Sequence, residues 1–181
     1  MNVVRTAIPE VLVLEPRVFG DARGWFYESY NRRAFEAATG IDVEFVQDNI
    51  SRSVKNVLRG LHYQIRQPQG KLVRVLAGKI WDVAVDIRRS SPHFGKWVGL
   101  ELSGDDRRAI WVPPGFAHGF IATSEHAEVQ YKTTDYYAPE HERTIRWDDP
   151  ALAIAWPKTG EPILNDKDRR GASLAEAETY A

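Results

Sequence analysis

Arg59 and His62 stand together in the apolar stretch VLRGLHYQ, residues 57–64, and His118 follows a Pro-Gly corner in WVPPGFAHGF, residues 111–120. Two imidazoles on two expected strands suit either a metal site or proton-transfer chemistry. A histidine cage of the kind built in β-barrels takes two ligands from one strand as His-x-His. It adds a Glu a few residues on and a further His from a later hairpin. The later hairpin is present at His118, but Gln64 stands where the second histidine belongs, and no Glu follows at suitable spacing within HYQIRQPQGK. Two imidazoles without a carboxylate or thiolate make a poor closed site for zinc or open site for iron. The absence of cysteine removes thiolate ligands, disulfides and a cysteine nucleophile together.

Other groups with chemical capacity lie close by. Strict alternation puts Arg59 and His62 on opposite faces of a strand, but Gly60 is well placed for a bulge that resets the phase. Lys71 opens the next strand after the turn-like QPQG, so strand pairing is expected to bring it beside His62. The segment FGDARGWFYESYN gathers Arg23, Trp25, Phe26, Tyr27, Glu28 and Tyr30 behind a Gly-Asp-Ala-Arg-Gly turn. Core packing accounts for some of those aromatics. The same set also suits stacking on a nucleotide base, with an arginine fork near phosphate.

The elements that must position these residues are mostly strands. VLVLEPRVF reads as an early strand with Pro16 at an edge or bend. KLVRVLAGKIWDVAVDIRR reads as two strands around Ala77-Gly78-Lys79, a connection of hairpin length. In its second arm Trp81, Val83, Val85 and Ile87 share one face, and Asp82, Ala84 and Asp86 the other. WVGLELS is the next strand, ended by the turn SGDDRR; RAIWVPPGFAHGFIATS and AEVQYKTTDYY follow. Helix is expected in NRRAFEAATG, between an Asn31 N-cap and a Gly40 stop, and GASLAEAETY is a second helix candidate. Many short strands with helix only near each end point to an all-β jelly-roll barrel or sandwich. At 181 residues, with no repeat, low-complexity tract or linker, one domain over 1–181 is expected.

Bulk properties narrow the setting. A net charge of −1 argues against nucleic acid as partner. No stretch approaches the roughly 20 apolar residues of a membrane span, and MNVVRTAIPEVLVLEP lacks a signal-type apolar core. A cytoplasmic location is the expectation.

VFGDARGWFYESYN, FVQDNISRS, NVLRGLHYQ, GKLVRVLAGKIWDVAVDIRRSSPHFGKWVGLELS, WVPPGFAHGF and YKTTDYYAPEHERTIRWDDP, taken in this order, resemble the dTDP-4-dehydrorhamnose 3,5-epimerase family. The resemblance runs from about Val3 to the LNDKDRRG segment. It implies a metal-free cupin jelly roll without cofactor that forms a homodimer. It also implies epimerisation at C3 and C5 of dTDP-4-dehydro-6-deoxy-D-glucose, giving dTDP-4-dehydro-L-rhamnose, in dTDP-rhamnose biosynthesis.

That chemistry needs a base, an acid on the opposite face and a cation or donor near the C4 oxygen. His62 suits the base, because imidazole titrates near neutral pH. The resemblance makes Asp168 its carboxylate partner, Lys71 the group that stabilises the enolate oxygen and Tyr131 the acid. The residues alone do not separate Asp168 from Asp166, and Asp82 is an independent candidate from its strand position. By resemblance Arg59 and His118 serve the sugar and diphosphate. Arg23, Phe26, Glu28, Gln47, Asp48, Asn49, Glu142 and Lys167 serve thymidine and its phosphates. Arg23 and Glu28 would come from the other subunit if the N-terminal strand is exchanged. His93, His126 and His141 read as surface residues. The alternatives are a 3-epimerase acting on the same nucleotide sugar, a metal-dependent cupin enzyme and a non-catalytic nucleotide-sugar binding module.

Overall fold

The structure, a computed structural model, describes residues 1–181. Period-two alternation of apolar residues builds two antiparallel sheets. One orders β1 (Asn2–Arg5), β2 (Leu12–Glu15), β10 (Ala109–Val112), β7 (Lys71–Ala77), β12 (His126–Thr133) and β5 (Gln47–Val54) from edge to edge. The other orders β13 (Glu142–Thr144), β6 (Leu58–Gln64), β11 (Phe116–Ala122), β8 (Lys79–Asp86) and β9 (Trp97–Ser103). From β5 onward the chain crosses between the sheets at almost every connection, which is jelly-roll winding.

Val73, Val75, Ile110, Val112 and Val129 of the first sheet meet Ile80, Ala84, Phe116 and Phe120 of the second, and form the inner core. The outer face of the second sheet carries Val83, Val85 and Ile87, with Trp81 alongside. Leu152, Trp156, Leu174 and Ala177 of the C-terminal region cover it. The expected division of β8 into two faces is therefore what its two cores use. On the outer face of the first sheet, Leu12, Leu14, Leu72 and Trp111 are capped by Phe35 of α1 (Arg32–Thr39). Burying Phe35 contributes about 1.5–3 kcal/mol. The helix has the expected ends: Asn31 Oδ1 accepts from Ala34 N, and Gly40, at φ +74°, donates its N–H to Glu36 O.

Three expectations change. Residues 71–86 form two strands, but they belong to opposite sheets. Gly78, at φ +75°, turns a corner from one layer to the other instead of closing a hairpin. Pro16 ends the early strand, and residues beyond it form a separate hairpin of β3 (Val18–Asp21) and β4 (Gly24–Tyr27), with Phe19, Trp25 and Phe26 exposed. GASLAEAETY is not a helix. Ala172 bridges Ile145 and Tyr180 bridges Arg88 in strand fashion, with a single turn between them at Ser173–Ala177. The short helix α2 lies just before it, at Asp166–Arg169.

Candidate functional site

One end of the sandwich opens into a cleft of about 370 Å³ between β5, β7 and β12 of one sheet and β6 and β11 of the other. Its geometry depends on a flaw in β6. His62 pairs with His118 and Arg59 with Phe120, so β6 fits two residues where β11 has one. This bulge sits at Gly60, which has φ +125°. A Cβ on Gly60 would lie 2.5 Å from the Gly119 Cα, so both glycines are needed for the strands to approach. The result is the phase reset anticipated from the sequence: Arg59 and His62 both line the cleft.

His62 Nε2 lies 2.5 Å from Asp168 Oδ1. The His62 side chain is 23% exposed and that of Asp168 1%. Asp168 comes from α2, where Asn165 Oδ1 caps the helix by accepting from Asp168 N at 2.7 Å. Among the three carboxylates open at the sequence level, the geometry places Asp168 on His62. Asp82 instead takes His118, whose Nε2 is 2.9 and 3.0 Å from its two oxygens. Burial lowers the His62 pKa below the usual imidazole value, although the hydrogen bond that His62 donates to Asp168 works against it.

Lys71 reaches His62 by a route other than strand pairing. Its strand is in the facing sheet, and its Nζ crosses the cleft to donate to His62 O at 3.4 Å. No carboxylate lies within ion-pair distance of it. Burial depresses its pKa to about 8, against the attraction of Glu142 and Asp82. Tyr131, on β12 of the same sheet as Lys71, is held in its neutral form by burial, which raises its pKa. The base candidate and the phenol thus approach the cleft from opposite sheets.

Towards the mouth, Arg59 is held by Ser53 Oγ at 3.0 Å and Arg52 O at 3.2 Å. Gln47 and Asn49 line the wall of β5, where Gln47 Nε2 donates to Asn49 Oδ1 at 2.9 Å. Glu142 accepts from Lys167 Nζ at 2.7 Å and from Tyr137 OH at 3.0 Å. Burial opposes ionisation of Glu142, but the Lys167 ammonium outweighs it and holds the carboxyl below its ordinary pKa.

Ten of the expected site residues therefore share this cleft: His62, Lys71, Tyr131, Asp168, Arg59, His118, Gln47, Asn49, Glu142 and Lys167. Four do not. Alternation turns Asp48 to the outer face of β5, where Lys132 Nζ donates to it at 2.8 Å. Arg23 and Phe26 lie on the exposed β3–β4 hairpin, with Arg23 paired to Asp21, and Glu28 follows in the exposed link to α1. The cleft also contains Ser51, Gln69, Tyr137 and Asn165, which the sequence reading missed. Ser51 was findable, being two residues from Asn49 on the same face; its Oγ is buried and has no partner within the protein. Gln64 is a clamp on the chain: its amide donates to Gln67 O and Tyr136 O and accepts from Ala138 N. No group of three or more His, Asp or Glu side chains is arranged to hold a metal ion. Of the remaining histidines, His126 is exposed, His93 and His141 are half-buried, and none lines the cleft.

The family model described as dTDP-4-dehydrorhamnose 3,5-epimerase matches residues 5–176. The chain is 61% identical over 180 residues to the dTDP-4-dehydrorhamnose 3,5-epimerase of Pseudomonas aeruginosa, covering 99% of each. It superposes with a TM-score of 0.96 on the crystal structure of the Legionella pneumophila 3,5-epimerase in complex with dTDP-4-keto-L-rhamnose. That pair is 52% identical, covering 98% of this chain and 94% of the other. The Bacillus anthracis enzyme with TDP and PPi bound gives a TM-score of 0.92 at 46% identity, covering 95% and 98%. No helix is long and apolar enough to cross a membrane.

Proposed function

Because the chain belongs to the dTDP-4-dehydrorhamnose 3,5-epimerase family, we propose that it inverts C3 and C5 of dTDP-4-dehydro-6-deoxy-D-glucose to give dTDP-4-dehydro-L-rhamnose. The observation that carries this reading is the arrangement of four groups around one cleft. The His62–Asp168 pair stands on one side, and Lys71 and Tyr131 reach in from the facing sheet.

The hydrogens on C3 and C5 are α to the C4 carbonyl. His62 removes one; the C–H electron pair forms a carbon–carbon double bond, and the carbonyl pair moves to the C4 oxygen. With Nε2–H given to Asp168, the lone pair that takes the proton lies on Nδ1. Asp168 holds the ring and stabilises the imidazolium. The Lys71 ammonium stabilises the enolate oxygen in a site where water is scarce. As the C4 carbonyl re-forms, Tyr131 gives its phenolic proton to the carbon from the other face and recovers one from solvent, to which His62 releases the proton it took. The cycle is repeated at the second carbon. No electron leaves the substrate, so the reaction needs no redox partner.

Arg59 and His118 hold the diphosphate and sugar, and Gln47, Asn49, Glu142 and Lys167 the nucleotide side. The active form is a homodimer of single-domain chains in the cytoplasm, in which each β3–β4 hairpin brings Arg23, Phe26 and Glu28 to its partner's cleft. The exposure of Phe19, Trp25 and Phe26 on that hairpin, and of Ile50 and Val54 on the outer face of β5, supports such an exchange. Incubation with the 4-keto substrate in D₂O should place deuterium at both C3 and C5. Label at C3 alone would make the protein a 3-epimerase, and no label at either carbon would sink the reading.

A further inference from the structure

The catalytic strand β6 is gripped from behind by the chain that follows Asp168. Tyr63, the residue after His62, points away from the cleft into the outer core and donates its phenol to Glu178 O at 2.5 Å. Tyr180 comes back from the C-terminal segment and donates its own phenol to Gln64 O. The two rings meet edge to face with centroids 6.2 Å apart. Each tyrosine thus holds the backbone of the element that bears the other. Around this clasp, Arg143 of β13 pairs with Glu178 at 3.0 Å. The main chain of Tyr180 bonds to Ile87 and Arg89, and Ala172 is stitched to Thr144 and Arg146.

These contacts close a circuit. It runs from His62 to Asp168 through their hydrogen bond, along the chain from α2 to Tyr180, and back to Tyr63 and Gln64 beside His62. We propose that Tyr63 and Tyr180 are positioning residues that fix Asp168 against His62, a role that rests on the His62 base assigned above. The helix bearing Asp168 is a single turn, too short to hold its own place. Its position is set by what anchors the chain on either side. Burial raises the pKa of both phenols, that of Tyr63 to about 12, so both remain donors throughout the working range of an imidazole base.

Tyr180→Phe and Tyr63→Phe in the full chain keep the rings and remove only the O–H donors. In protein labelled with ¹⁵N-histidine, the Nε2–H proton of His62 should be visible at low field, and that of the His118–Asp82 pair serves as an internal control. Each variant should shift or broaden the His62 signal and leave the His118 signal in place. With substrate, kcat should fall about tenfold, the scale of a small misplacement of a catalytic group, while KM holds and the acid limb of the pH profile moves. In an Asp168→Asn background the added effect of Tyr180→Phe should vanish. A lower Tm with the His62 signal, kcat and acid limb unchanged in both variants would overturn the proposal. So would an equal loss in the Asp168→Asn background. Wild-type protein that shows the His62 signal but incorporates no deuterium would instead count against the epimerase reading.

Discussion

The cleft holds two His–Asp pairs on adjacent strands, and they are built in different ways. His118 on β11 takes its carboxylate from Asp82 on the neighbouring strand β8 of the same sheet, and both side chains are almost wholly enclosed, at 9% and 0% exposure. His62 on β6 takes its carboxylate from a one-turn helix more than a hundred residues away, and its imidazole is 23% exposed at the cleft. Identical chemistry thus occurs once as part of a rigid sheet and once at a junction of separate segments. A base must meet substrate and solvent, so the accessible pair suits proton transfer. The enclosed pair suits fixed hydrogen bonding. The proposed mechanism assigns them in that way.

The largest effect should come from exchanging the histidines. His62→Asn should slow deuterium incorporation at both carbons by about 10³-fold, within the range for loss of a general base. His118→Asn should act mainly on KM and retain exchange. If His118→Asn abolished exchange and His62→Asn kept it, the two pairs would have to trade roles. Next come the carboxylates. Asp168→Asn should lower kcat by about 10²-fold or more, since the ring loses the carboxylate that fixes its tautomer and stabilises the imidazolium. Asp82→Asn should instead appear first in thermal unfolding, because an altered partner in a fully buried pair costs about 1–3 kcal/mol.

The two pairs also differ in how far the sequence reveals them. Asp82 is readable as an inward residue from the alternation of β8, and His118 from its Pro-Gly corner. Gly60 signals the bulge that brings Arg59 and His62 to one side, and Asn31 and Gly40 mark the ends of α1. All of these are local rules of backbone geometry. Asp168 is not readable in this way. LNDKDRR has no apolar period, and its approach to His62 is set by anchors elsewhere, so only family resemblance separated it from Asp166. The same limit explains GASLAEAETY. Its helix propensity amounts to a few tenths of a kcal/mol per residue, while β13 and residues 87–89 offer its backbone strand-like partners. Asp48 is the opposite case: alternation between Gln47 and Asn49 turns it outward, and that local signal was available.

Lys71 gives a smaller but two-sided test. Lys71→Met should lower kcat by about 10²-fold, the cost of losing one stabilising group at a developing oxyanion. The same change should raise stability. A folded-state pKa of about 8 against the ordinary lysine value of 10.5 means that folding disfavours the charged amine. Near neutral pH this costs on the order of 3 kcal/mol, at about 1.4 kcal/mol per unit. Between those two values the unfolded chain binds more protons, so wild-type stability should rise with pH, and the Met variant should lose that slope. A Met variant that is both inactive and less stable would show that Lys71 holds the cleft together and is not strained within it.

The finest distinction between the pairs lies in the pH profile of kcat/KM. The proposed mechanism requires neutral His62, so the rate should fall as pH drops through an imidazole pKa that burial has lowered. It also requires charged Lys71, so a second limb should appear at about 8. Tyr131, raised by burial, keeps its proton through that limb. Each carboxylate should then govern one side. The hydrogen bond that His62 donates to Asp168 raises the His62 pKa, so Asp168→Asn should move the acid limb to still lower pH in the activity that remains. Asp82 supports the Lys71 charge, so Asp82→Asn should draw the alkaline limb below about 8 and leave the acid limb in place. Lys71→Arg should carry the alkaline limb upward, because a guanidinium does not deprotonate in this range. If Asp82→Asn moved the acid limb instead, the enclosed pair would be coupled to the base, and the division of labour between the two pairs would fail.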